Sequence, residues 1–369
     1  MANETRFAWE PLKEFTVEVF TKMGMPPQDA ETEAAVLSWA NRRGVDSHGV
    51  GLIPWYLENI DRGIMNPKPN IQVLKETPAT IFVEADRAFG PVVTVFTVKR
   101  AMEKARQAGV CWAAISNTTH QGAMGYYTLM AAEQGMAGLT WVCNPPNMAP
   151  FGARAAGIHN SPIAITVPAK RHRPLMLDMA TSMVAAGKIN VALDKGIPIP
   201  QGWAIDKDGN PATDPKKAAV LLPFGGAKGS GLSMMFECLS SVMMGNPMLG
   251  PTLHGREVGP PLKEKKVKVI GERPGHIVRH IQNSVFIAVD ISQFTDLEQY
   301  KKDIDEMIDG IKALPRADGF DEIFVPGEPE CRTYEERSRN GIPLPERTVK
   351  NLRQVAERLD IKLPVALAA

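Results

Sequence analysis

The sequence predicts a mixed helix-and-strand protein, layered α+β or α/β, with helical ends around a middle that alternates strands and helices. Three observations carry this. The first quarter is helix-like, with Ala34, Ala35, Val36, Leu37 and Trp39 in a segment free of Gly and Pro up to Gly44. The middle alternates short apolar runs with helical segments. The chain turns helical again from Asp296. At 369 residues it exceeds one small core, and a prior of about 150 residues per domain suggests two or three.

The elements follow in order. Gly44 can stop the first helical region, because a left-handed residue closes a helix there. "NPKPNIQV" (66–73) is a Pro-rich connection and a domain boundary. "TIFVEA" (80–85) predicts a strand. "PVVTVFTVKRAMEKARQAG" (91–109) predicts a helix, with Pro91 in its first turn and Gly109 at its end. "VCWAAISN" (110–117) reads as a strand and "YYTLMAAEQG" (126–135) as a helix. "AGLTWVCN" (137–144), "SPIAITVP" (161–168), "PLMLDMA" (174–180) and "SVFIAVDIS" (284–292) read as strands. Leu297, Ile304, Met307, Ile308 and Ile311 share a helical face, as do Val349, Leu352, Val355, Ala356 and Leu359. The expected division is 1–75, 76–295 and 296–369, with the two helical ends packing together.

Composition excludes several function classes. Apolar content of 44% and charged content of 22% are those of an ordinary globular chain. A net charge of +1 offers no basic footprint, so no nucleic-acid partner is expected. No apolar run of about 18 residues exists, since Glu237 and several serines interrupt the most apolar stretch; no membrane partner is expected. The first residues lack a signal-peptide layout. Cys111, Cys143, Cys238 and Cys331 are far apart with no CxxC, so neither a disulfide framework nor a zinc site is expected, and a reducing cytoplasm is the simplest location.

Some motifs can be set aside. "GGAKGSG" (225–231) lacks the Ser or Thr directly after Lys228 that a phosphate loop needs for its magnesium. No GxGxxG follows a strand, because Met234 stands where a third glycine would be. A dinucleotide, if bound, is not held by a Rossmann fold. "HIVRH" (276–280) has helical zinc spacing, but Pro274, Gly275 and β-branched neighbours argue for surface histidines near a strand. Asp46, Ser47 and His48 are adjacent and cannot form a relay by themselves.

Four segments survive. "DSHG" (46–49) presents His48 on a turn. "SNTTHQGAMGYY" (116–127) places His120 between a strand and a helix start. "LMLDMATS" (175–182) sets Asp178 in an apolar strand, where a carboxylate is costly unless hydrogen-bonded. "LLPFGGAKGSGLSMM" (221–235) brings Lys228 to a glycine-rich helix start, an anion-binding geometry.

Together and in this order, the motifs "SHGV", "LDMATS" and "LPFGGAKGSGLSMM" resemble the type-2 malate/L-lactate dehydrogenase family. That family includes ureidoglycolate and sulfolactate dehydrogenases, 2,3-diketo-L-gulonate reductase and piperideine-2-carboxylate reductase. The resemblance runs from the N-terminal helices to "PGEPECRTYEERSRNGIPL" (326–344). It implies an α+β fold: a non-Rossmann NAD(P)-binding domain on a largely antiparallel sheet, plus a helical domain from both chain ends. It implies an NAD- or NADP-dependent oxidoreductase, a homodimer, acting on a small molecule without a metal. His48 would be the proton donor, and His120 is the acid/base in some members. Such a group contributes typically about 10²–10⁴-fold, and histidine suits it with an unperturbed pKa of about 6.5. Asn144, Leu177, Asp178, Met179, Ala180, Thr181, Ser182, Ala227, Lys228, Gly327, Glu328 and Pro329 would line the dinucleotide.

Two departures fall on the expected substrate side, around Ser47, Leu52, His159 and Asn160. Where the family commonly has an arginine to clamp a carboxylate, this chain has Leu52. Where it commonly has "GTNP", this chain has "HNSP" (159–162). Both put simple malate or lactate in doubt. Arg43 or His159 could take over the missing charge. Three readings compete: a 2-oxo/2-hydroxy acid oxidoreductase, a cyclic imine reductase, and a non-catalytic binding protein. "KRHRP" (170–174) could meet a 2′-phosphate or be a solvated turn.

Overall fold

A computed structural model describes residues 4–256, 258 and 281–367. The "HIVRH" histidines lie outside the described residues. The chain begins with β1 (Glu4–Phe7), α1 (Trp9–Lys22) and α2 (Pro27–Arg42). Short 3₁₀ turns at Asp46–His48 and Val50–Leu52 lead into α3 (Ile53–Asp61). Then come β2 (Gln72–Thr77), β3 (Thr80–Glu84), α4 (Gly90–Ala108), β4 (Val110–Thr118), α5 (Gly125–Ala132), β5 (Met136–Cys143), β6 (Ile163–Val167) and β7 (Leu175–Met179). A third stretch holds α6 (Ala186–Lys195), β8 (Ala204–Ile205), β9 (Pro211–Ala212), β10 (Val220–Leu221), α7 (Ala227–Glu237), α8 (Leu249–Leu253) and β11 (Gln282–Asp290). The described chain closes with α9 (Leu297–Lys312), α10 (Glu328–Asn340), β12 (Ile342–Pro345) and α11 (Glu346–Leu359).

The architecture is α+β around a seven-stranded sheet of order β2-β3-β4-β11-β5-β6-β7. Every neighbouring pair is antiparallel except β3–β4. The late strand β11 inserts between β4 and β5, and alternation assigns its faces. Phe286 and Ala288 join the core beneath α4 and α5. Val285 and Ile287 join Trp112, Trp141 and Phe236 on the other face. There Phe236 of α7 stacks on Trp141 with centroids 5.1 Å apart. Glu237 ends α7 buried, its Oε1 accepting from the Met248 and Leu249 amides.

The helical ends share one core. Phe15, Phe20, Leu37, Tyr56 and Leu57 pack with Ile342, Leu344, Leu352 and Val355, and β1 pairs antiparallel with β12. α9 lies elsewhere, against the β6–β7 turn, where Asp305 accepts the backbone amides of Lys170, Arg171 and His172. Of its apolar face, Ile308 is buried while Met307 and Ile311 are exposed. The stretch from α6 to β10 was not foreseen as ordered structure. It forms a satellite core of Met148, Ile158, Val184, Ile199 and Leu221 and a small sheet of order β10-β8-β9. No described helix is long and apolar enough to cross a membrane. All four cysteines are free.

Candidate active site

The loop that carries His48 is held from behind. Asn41, near the end of α2, accepts from the Val50 amide at 2.8 Å and donates to Asp46 at 2.7 Å. Gly49 is required here, because a Cβ would lie 2.1 Å from the Asn41 side chain. Arg337 of α10 grips both Asp46 oxygens at 2.6 and 3.0 Å and also donates to the Asn41 carbonyl. Asp46 is thus a strut, and His48 is the residue presented.

His48 and His120 come together, although the sequence separates them by two helices and three strands. Their rings stack with centroids 5.3 Å apart and planes at 26°. Ser47 Oγ is 2.8 Å from His48 Nδ1. Burial pushes the His48 pKa down to about 4, so its ring is neutral near pH 7. Part of its surface stays open to water, which moderates the shift without reversing it. On the other side of the pair, Tyr56 Oη is 2.7 Å from His120 Nδ1, and Trp55 meets the His120 ring edge-on. Tyr56 is fully buried. Its only sequence signal is its place one helical turn beyond Leu52, and nothing local reveals its distant partner.

β7 and the helix α6 after it touch the two histidine loops. Asp178 Oδ2 accepts from the Gly125 amide at 2.7 Å, and a Cβ on Gly187 of α6 would lie 2.9 Å from Ser47 Cβ. Crowding by protein raises the Asp178 pKa to about 6, while the Gly125 N–H and the Arg43 guanidinium pull it down and Glu330 pushes it up. Much of the residue still faces open space, and water there moderates the rise. Beside it lies a cleft of about 490 Å³ lined by Trp39, Arg43, Tyr126, Met176, Cys331 and Tyr334.

The other expected dinucleotide residues surround the exit of β7. Leu177 is exposed, and Met179 and Ala180 are half-buried. The Thr181 amide donates to the Asn160 carbonyl, and the Phe224 amide donates to the Thr181 carbonyl. Thr181 Oγ1 is buried with no partner among the described residues. Ser182 Oγ donates to the Val184 carbonyl. Ala227 and Lys228 open α7 behind Gly225 and Gly226, both at positive φ. Lys228 is exposed and makes no ion pair with a described residue. Gly327, at φ +85°, caps α10 and meets the Met176 backbone, where a Cβ would sit 3.0 Å from the carbonyl. Pro329 starts that helix. Glu328 turns away to Lys312 and Arg332, at 2.8 and 2.9 Å. Asn144 is buried at the end of β5.

On the expected substrate side, Leu52 packs half-buried against the helical core. His159 is buried with Nδ1 3.3 Å from Ser161 Oγ. The Asn160 amide donates to Asn147 Oδ1. Arg43 is engaged by the Gly327 carbonyl and Cys331 Sγ, each at 3.4 Å, and lies over Trp39. That places it beside Asp178 and α10. The basic side chains of "KRHRP" are each met by a carboxylate: Lys170 by Glu298, Arg171 and His172 by Asp309, Arg173 by Glu335. This arrangement favours the turn reading over the phosphate reading. Among the described residues, no group of three or more His, Cys, Asp or Glu is placed to hold a metal.

A dinucleotide fits what is present. The Thr181 hydroxyl and Lys228, without hydrogen-bond or ion-pair partners among the described residues, the glycine-lined start of an eleven-residue helix and the close backbone at Gly327 supply donors, charge and room.

The family model of malate/L-lactate dehydrogenase matches residues 7–353. The chain is 37% identical to L-sulfolactate dehydrogenase of Methanocaldococcus jannaschii over 95% of this chain and 96% of that protein. The solved structure of that sulfolactate dehydrogenase superposes with a TM-score of 0.83, covering 98% of each chain. Malate dehydrogenase of Pyrococcus abyssi is 35% identical over 98% of this chain and 96% of its own length. The structure of δ1-piperideine-2-carboxylate reductase from Pseudomonas syringae matches with a TM-score of 0.78 at 26% identity, over 95% of this chain and 99% of that one. With sequence and fold in accord, this chain belongs to the malate/L-lactate dehydrogenase family and is an oxidoreductase.

Proposed function

We propose that the protein transfers a hydride between a nicotinamide coenzyme, NAD or NADP, and C2 of a 2-oxo/2-hydroxy acid or a related polar ketone. The observation that carries this reading is the stacked His48–His120 pair, with Ser47 at His48 and Tyr56 at His120. The coenzyme supplies the hydride chemistry. The chain supplies the rest. Residues 177–182, Asn144, Ala227, Lys228 and 327–329 bind and orient the dinucleotide. His120, oriented by Tyr56, exchanges the proton at the substrate oxygen. Neutral His48, backed by Ser47, donates a hydrogen bond to that oxygen. Ser47, Leu52, His159 and Asn160 shape the substrate end.

The test is oxidation of NADH and of NADPH against a panel of small oxo acids, sugar-derived diketo acids and cyclic imino acids. Turnover with an oxo acid supports the reading. Coenzyme binding without turnover across the panel would instead favour a binding protein. Turnover restricted to cyclic imines would favour the second reading, which the piperideine-2-carboxylate reductase neighbour supports. There a nitrogen takes the proton in place of oxygen.

Two further outcomes are expected. Lys228→Ala should weaken coenzyme or substrate binding about tenfold, the scale of a lost charged hydrogen bond. Its melting temperature should barely move, because the side chain is exposed. Titration of coenzyme fluorescence beside a thermal melt checks both. Leu52 offers neither charge nor donor, so pyruvate and oxaloacetate should be poor substrates and Leu52→Arg should improve them. The measurement is kcat/KM in both forms. Efficient pyruvate reduction by the unmodified enzyme would sink the idea.

A homodimer is part of the same proposal. Met234, Met235, Leu239, Val242 and Met243 are all exposed along α7 and its continuation, an apolar face of the kind a second subunit covers.

A further inference from the structure

His120 sits on a loop that is fastened on both sides. On the N-terminal side, Thr119 meets the Ala88 carbonyl twice, with its amide at 3.2 Å and its hydroxyl at 2.8 Å. Behind it, Asp86, Arg87 and Asn117 take positive φ in the neighbouring segments that follow β3 and end β4. There the Arg87 amide donates to the Asn117 carbonyl at 2.8 Å. Residues other than glycine keep that conformation only where their surroundings enforce it. On the C-terminal side the fastening is Gln121. Its carbonyl accepts from Tyr127 Oη. Its side-chain Nε2 donates to Thr94 Oγ1 of α4 at 2.6 Å and to Ser284 Oγ of β11 at 3.0 Å. Gln121, Thr94 and Ser284 are all buried.

The amide of Gln121 therefore ties the loop to α4 and to the inserted strand β11 at one point. Thr94 also donates to the Gly90 carbonyl at 2.6 Å, and the missing Cβ of Gly90 leaves room for the His120 carbonyl and Gln121 Cα. The first turn of α4 thus holds both residues, one by close backbone approach and one by a hydrogen bond. The bridge stands whichever amide atom faces the two hydroxyls, because a hydroxyl both donates and accepts. As a stabiliser of the core Gln121 is poor. Its Oε1 has no partner among the described residues, and a buried polar atom left unmatched costs stability. What the amide supplies, and an apolar side chain of its size does not, is a fixed direction.

We propose that Gln121 is a positioning residue for His120. Its amide fixes the peptide between the two residues against α4 and β11, and that peptide sets the direction in which the His120 ring leaves the loop. The ring is thereby held with Nδ1 2.7 Å from Tyr56 Oη and stacked on His48. This rests on the reading of His120 as the group that exchanges the substrate proton. Gln121, buried beneath the loop, touches neither substrate nor coenzyme.

The direct test is a crystal structure of the whole enzyme carrying Gln121→Met, which keeps the length of the side chain and removes the amide. The proposal expects the His120 ring to swing away, with Nδ1 beyond hydrogen-bond reach of Tyr56 Oη. An unmoved ring overturns it, whatever the enzyme's substrate proves to be. In steady-state kinetics Gln121→Met should lower kcat at least about tenfold, since a displacement of about 1 Å can cost about 10²-fold. Coenzyme affinity should stay nearly unchanged. Thr94→Val removes the partner hydroxyl at constant shape and should reproduce part of the loss. Thr94→Ser keeps the hydroxyl and should keep kcat near that of the unmodified enzyme. Added to His120→Ala, Gln121→Met should have no further effect on kcat, because residues that act through one group are not additive. Equal fold losses with and without His120 would show a general structural role and reject the proposal. If Gln121→Met does not fold, the Thr94 pair decides, and equal kcat in its two variants rejects the proposal. Full turnover in His120→Ala alone would remove the functional reading without touching the ring-position result.

Discussion

Replacing His120 by alanine is expected to lower kcat by about 10²–10⁴-fold, the span of a lost acid/base group. Coenzyme affinity should stay nearly unchanged, because Tyr56, Trp55 and His48, which meet the His120 ring, lie outside the residues assigned to the dinucleotide. His48→Ala should also lose activity, by about 10²–10³-fold, as when a donor to a developing negative charge is removed. It should not flatten the pH profile. With its pKa down at about 4, His48 is already neutral across the range where the enzyme would be assayed. Steady-state kinetics from pH 5 to 9 on both variants separates the roles. A His120→Ala enzyme with full turnover, beside a dead His48→Ala enzyme, would exchange them.

The second large effect is expected at Gly90, which opens α4 directly against the His120 loop. A Cβ there would lie 2.4 Å from the His120 carbonyl oxygen and 2.5 Å from Gln121 Cα. Both are backbone or backbone-bound atoms, so no flexible side chain can yield. Gly90→Ala should therefore cost about 1–3 kcal/mol of stability, the usual cost of overpacking. It should also shift His120 away from Tyr56. A displacement of about 1 Å in a catalytic group can cost about 10²-fold, so kcat should fall along with the melting temperature. The control is Gly310→Ala in α9, where an added Cβ meets nothing within 4 Å. That change should be neutral or stabilising by about 0.5–1 kcal/mol. Equal losses at both positions, measured by thermal melts and kcat, would show that Gly90 is not special.

Much of the scaffold was legible because it depends on local chemistry. Pro91 and Gly109 bracket α4 as expected: Pro91 lies in the first turn and Gly109 takes the left-handed cap at φ +81°. Gly44 stops the α2 region at φ +80°. The strands β3 to β7 and β11 fall on the apolar runs that predicted them. The region from α6 to β10 was not legible. Its strands are two residues long, too short to show a period of two, and its core depends on Met148 and Ile158 from another segment.

The candidate site divides in the same way. His48, His120, Asp178 and Lys228 stood out because polar residue types at turns, in an apolar strand or at a glycine-rich helix start are visible in one dimension. Tyr56, Asn41 and Arg337 did not, because each is defined by a partner on another element. Tyr56 is separated from His120 by 64 positions, and Arg337 from Asp46 by 291. The sequence by itself determined the helical ends, most strands and the residues able to move a proton or bind an anion, since periodicity, caps and side-chain chemistry are local properties. Only the tertiary structure decided that two histidines stack, that Asp46 is a strut and that the Tyr56 hydroxyl meets His120 Nδ1. Insertion of β11 between β4 and β5 and closure of the two chain ends into one core bring distant residues within hydrogen-bond reach, and hydrogen bonds and desolvation act only at that range.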